Sequence, residues 1–153
     1  MTRTEKPRTT STAKILIPVG GVVSRELITR ALHVLSVFKN PLIVLLHVVE
    51  VPSRTATLET EPYQAQIREA EDRLREVSKW LTDQDLEVQV KVAVARSAAE
   101  GIVVETEADE YQVVFLMKRR TQKGWRRFFK RSVSERVVRS ANCLVMTAPL
   151  DEL

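Results

Sequence analysis

Glycine and cysteine are scarce in this chain of 153 residues, and both shortages restrict what it can do. The single cysteine, Cys143, allows no internal disulfide and fits a reducing, cytoplasmic setting. It lies in an apolar run, which reads as a buried, inert thiol. The two histidines, His33 and His47, have no further His, Cys or acid at a ligand spacing, so no metal site is readable. No apolar run approaches the roughly 20 residues that a membrane-spanning helix needs. The amino-terminal MTRTEKPRTTSTA carries charge but no apolar segment, so it does not read as a secretory signal. Nothing resembles a nucleophile elbow or a catalytic cysteine context, and Glu50 and Glu59 stand isolated. An enzyme is therefore not expected. Glycine occurs only at Gly20, Gly21, Gly101 and Gly124. A phosphate cradle needs small residues, because backbone N–H groups must approach the anion and some must take φ > 0.

What the chain has in quantity is positive charge in one place. Lys118 to Arg131, KRRTQKGWRRFFKR, holds eight basic residues, three aromatics and no acid in fourteen positions. The formal net charge of +4 hides this, since the other 139 residues hold 16 basic and 20 acidic side chains. A general nucleic-acid binder more often spreads its cations over a face. Here Lys118, Arg119, Arg120, Lys123, Arg126, Arg127, Lys130 and Arg131 form one candidate anion-binding cluster. Trp125, Phe128 and Phe129 read as aromatics packed back onto the domain, with a stacking platform or membrane-interface segment as the alternative. Gly124 reads as the residue that lets the loop reverse.

Around this loop the pattern alternates. Residues 1–13 read as a disordered lead-in and 14–153 as one domain. Lys14 to Val19 is a short apolar strand stopped by Gly20-Gly21. Ser24 caps a helix with a stripe of Leu27, Ile28, Ala31, Leu32 and Leu35. Leu42 to Val49 is almost unbroken apolar sequence, the mark of a strand buried on both faces. Pro62 to about Thr82 is a helix with Ile67, Leu74, Val77 and Leu81 inward and Trp80 flanking. Leu86 to Ala95 alternates with period two and belongs near a sheet edge. Ser97 with Glu100, and Ser132 with Glu135, are capping boxes for two further helices. Val113 to Met117 and Cys143 to Thr147 complete five strands. This order predicts an α/β fold, an open doubly wound parallel sheet of Rossmann-like type with helices on both faces. Any ligand then sits at the carboxyl edge, where the strand order switches.

In this order ILIPV, LLHVVEVP, ARSAAEGIV and KGWRRFFKRSVSERVVRSANCLVM resemble the universal stress protein family, from about Lys14 to Pro149. His47 sits where that family has a recurring histidine, although within an apolar strand it reads as a satisfied core residue. The resemblance places the family's nucleotide site at Val19, Gly20, Val48, Met117, Lys118, Thr121, Arg131 and Ser132. The ATP-binding branch has an aspartate where this chain has Gly20, and glycines where it has Lys118, Thr121 and Arg131. Only the hydroxyl, Ser132, is kept, and helix capping by that side chain accounts for it. The resemblance thus implies a stress-response domain without the usual ATP site and with no required cofactor. It implies a homodimer formed through the last strand, Leu144, Val145, Met146 and Thr147, and action on an unknown protein partner. Two alternatives remain open from the sequence. One is a degenerate nucleotide site. The other is docking of the basic loop on nucleic acid or acidic lipid, since eight cations attract polyanions without any cradle.

Overall fold

A computed structural model describes residues 13–20, 25–51, 53, 54, 56–119 and 133–150. Five strands and four α-helices alternate along it. They are β1 (Lys14–Pro18), α1 (Arg25–Leu35), β2 (Leu42–Glu50), α2 (Gln64–Thr82), β3 (Glu87–Ala95), α3 (Ala98–Ala108), β4 (Val113–Arg119), α4 (Val133–Ser140) and β5 (Leu144–Leu150). A single 3-10 turn, Glu61–Tyr63, precedes α2, so the helix expected from Pro62 begins two residues later. The strands form one parallel sheet in the order β3-β2-β1-β4-β5. Among the described residues no helix is long and apolar enough to cross a membrane.

The burial of each strand follows from its place in that order. β1 and β2 are interior and carry Ile15, Leu16, Ile43, Val44 and Leu45, all fully buried. β3 is an edge strand, and its alternation of exposed Glu87 and Gln89 with half-buried Val88 and Val90 is the pattern expected there. Residues of odd and even number on the strands face opposite helix layers. Ile15, Ile17, Ile43, Leu45 and Phe115 pack with Ile28, Ala31 and Leu35 of α1 and Leu74, Val77 and Leu81 of α2. Ile67 is only half-buried, and Ala70 takes a buried place on that stripe instead. Leu16, Val44, Leu46, Val114 and Leu116 pack with Ile102 of α3 and Val137 of α4 on the other face.

Two contacts fix α3 on its face of the sheet. Gly101 lies against β2 so closely that a Cβ there would stand 2.6 and 2.7 Å from the two methyls of Val48. Polar groups then hold the helix's far end. Glu105 accepts hydrogen bonds from Lys91 Nζ and from the Tyr111 hydroxyl, each at 2.6 Å. Asp109 pairs with Lys14, and Lys91 lies 3.7 Å from the same carboxylate. The Lys14 ammonium also sits 5.2 Å from the centre of the Tyr111 ring. Acids in the last turn of a helix oppose its dipole, and α3 has no basic residue there. The cations come from the strands instead. Burial, then the Glu105 carboxylate, push the Tyr111 phenol far above its usual range. The hydrogen bond from Lys14 holds the Asp109 carboxyl below its usual value.

Two outcomes are expected. Gly101→Ala gains helix propensity of about 1 kcal/mol but overpacks the Val48 contact by about 1–3 kcal/mol, so urea unfolding shows a net loss. In a Val48→Ala background the same change becomes neutral or stabilising. Asp109 has a depressed folded pKa, so its contribution is present above the unfolded value near 3.8 and is lost as pH falls through the folded one. Asp109→Asn therefore flattens the acid limb of a stability-versus-pH curve below about pH 4.

Candidate functional site

In an open parallel sheet a crevice forms where neighbouring strands send their connections to opposite faces. Here that place is between β1 and β4. After β1 the chain passes to α1 and on to β2, while after β4 it passes to α4 and on to β5. The two strands are in register only at Ile15↔Val113 and Leu16↔Val114. The β1–β2 ladder runs for five pairs and the β4–β5 ladder for seven. The carboxyl ends of β1 and β4 thus have other partners than each other.

Val19 and Gly20 form the β1 side of this crevice. Both polar backbone groups of Val19 are held from β2. Its N–H donates to the Leu46 carbonyl at 2.7 Å, and its carbonyl lies 2.9 Å from His47 Nδ1. A carbonyl can only accept, so Nδ1 carries the proton of the imidazole. His47 is thus a satisfied, half-buried histidine, as its apolar strand suggested. Gly20 follows, and among the described residues nothing stands within 4 Å of a Cβ built on it.

On the β4 side the structure differs from the sequence reading. Lys118 and Arg119 belong to the strand, opposite Pro149 and Leu150 of β5, rather than to the loop. Met117 is opposite Ala148. The last strand likewise runs on from Thr147 to Leu150 and starts at Leu144 rather than Cys143. The extension is mutual, since each added residue completes a ladder pair. Arg120, Thr121, Lys123, Gly124, Trp125, Arg126, Arg127, Phe128, Phe129, Lys130, Arg131 and Ser132 lie outside the described residues, as does Ser24. Val48, expected at the site, packs against Gly101 and the α3 layer. Cys143 is half-buried, and burial pushes its thiol upward, which fits an inert role.

A second set of polar contacts closes the carboxyl edge over β2 and β3. The Glu50 carboxylate accepts from the Ala98 N–H at 2.7 Å, at the amino end of α3. Ser97 caps the same helix, accepting from the Glu100 N–H at 3.2 Å. Arg136 of α4 donates to the Ser97 hydroxyl at 3.2 Å and so links the two helices. Arg96 donates to the carbonyls of Val51, at 3.4 Å, and Ser53. Sequence reasoning left Glu50 isolated because its partner is 48 residues away. The carboxylate satisfies the helix end where an external anion would otherwise be favoured. Among the described residues no group of three or more His, Cys, Asp or Glu could hold a metal ion.

The universal stress protein family profile matches residues 12–149, so the chain belongs to the universal stress protein family. Solved structures share its fold at low identity. The protein MJ0577, subject of a structure-based assignment of biochemical function, superposes with a TM-score of 0.71 at 20% identity, covering 92% of this chain and 98% of its own. A universal stress protein family member from Burkholderia pseudomallei gives 0.64 at 16% identity, covering 90% and 96%. The universal stress protein from Archaeoglobus fulgidus, solved in complex with dAMP, gives 0.54 at 16% identity, covering 88% and 96%. No curated protein matches.

The tether from His47 can be tested directly. His47→Ala leaves the Val19 carbonyl without its partner, and a loss of about 1–3 kcal/mol is expected. Faster hydrogen exchange of the Val19 amide should accompany it. Unchanged stability and exchange would show that the contact holds nothing.

Proposed function

We propose that this chain is a non-enzymatic, cytoplasmic stress-response domain that has lost the ATP site of its family and acts through dimerisation and a protein partner. One observation carries the reading. Gly20 stands where the ATP-binding branch has aspartate, and Lys118, Thr121 and Arg131 stand where it has glycines. Losing the aspartate removes an acceptor for a ribose or a metal. Replacing the glycines adds Cβ atoms and disfavours positive φ. Lys118, moreover, lies in extended backbone at the end of β4, with Pro149 opposite.

A second reading keeps a weakened nucleotide site at Val19, Gly20, Val48, Met117, Lys118, Thr121, Arg131 and Ser132. It is favoured by the relative solved with dAMP and by the positive charge of residues 118–131. A third assigns that charge to a polyanionic surface, either nucleic acid or acidic lipid. Calorimetry with ATP and magnesium separates the first two, and salt-dependent polyanion binding tests the third. The first reading expects affinity weaker than about 1 mM, roughly −4 kcal/mol. It also expects Gly20→Asp combined with Lys118→Gly, Thr121→Gly and Arg131→Gly to bind more tightly. Micromolar binding by the native chain at physiological salt would establish the second. Binding of polyanions that fades steeply with salt, and disappears when Arg126, Arg127, Lys130 and Arg131 become Gln, would establish the third.

The dimer is proposed through β5. That strand has β4 on one side only and is the sheet's outer strand. Its sequence, LVMTAPL, holds no charge, and Leu144 is 62% exposed. The opposite edge, β3, carries Glu87 and Lys91, which discourage pairing. Light scattering at micromolar concentration is expected to give twice the chain mass of 17.4 kDa. Charged residues in place of Leu144 and Met146 should shift the sample to monomer. A native monomer would exclude this interface.

A further inference from the structure

We draw no further inference here: the strongest candidate, the apolar groove between α3 and α4 lined by Ala99, Val103, Val104 and Arg136, carries no proposal because nothing in the structure shows what covers it.

Discussion

The parting of β1 and β4 is the constraint on which the rest of this structure depends. Parallel strands cannot be joined by tight turns, so each needs a helical crossover, and right-handed crossovers place helices on both faces. A sheet covered on both faces must have apolar interior strands, which explains the burial of Ile15 to Ile17 in β1 and Ile43 to Leu46 in β2. Because β1 turns toward β2 and β4 toward β5, their carboxyl ends share no connection. The backbone there must be held from elsewhere. On one side β2 does this, through Leu46 and His47 acting on Val19. On the other β5 does it, matching β4 as far as Arg119.

The element order was legible because each pattern is local. Period-two alternation in residues 86–95, unbroken apolar sequence in 42–49 and capping by Ser97 all report on neighbours a few residues apart. The edge position of β3 followed from the same alternation. What the sequence hid depends on distant partners. Gly101 looked unremarkable inside a helix, yet Val48 lies so close to it that a Cβ there would clash. Glu50 looked isolated until Ala98 was folded against it. Lys118 and Arg119 looked like loop because they are charged, but the β5 ladder draws them into the strand. Charge is a poor guide at the end of such a strand, because the ladder pairs backbone groups that every residue carries.

For the site itself, the sequence was informative at one level. It named the residues that the family resemblance places at a nucleotide site, and the structure supplies the geometry around one of them. Among the described residues nothing stands within 4 Å of a Cβ built at Gly20. The absence there of an acceptor for a ribose or a metal belongs to the proposed function. Charge on residues 118–131 adds long-range attraction for anions. Attraction of that sort is screened by salt, whereas a cradle of backbone amides is not to the same degree.

The most direct measurement is a titration of isotopically labelled protein with magnesium ATP, following the backbone amides of Val19 and Gly20. At physiological salt the account predicts no saturable shift of either amide up to millimolar ligand. Saturable shifts of both at micromolar ATP would contradict it, and would mean that the crevice still binds nucleotide without the aspartate and the glycines.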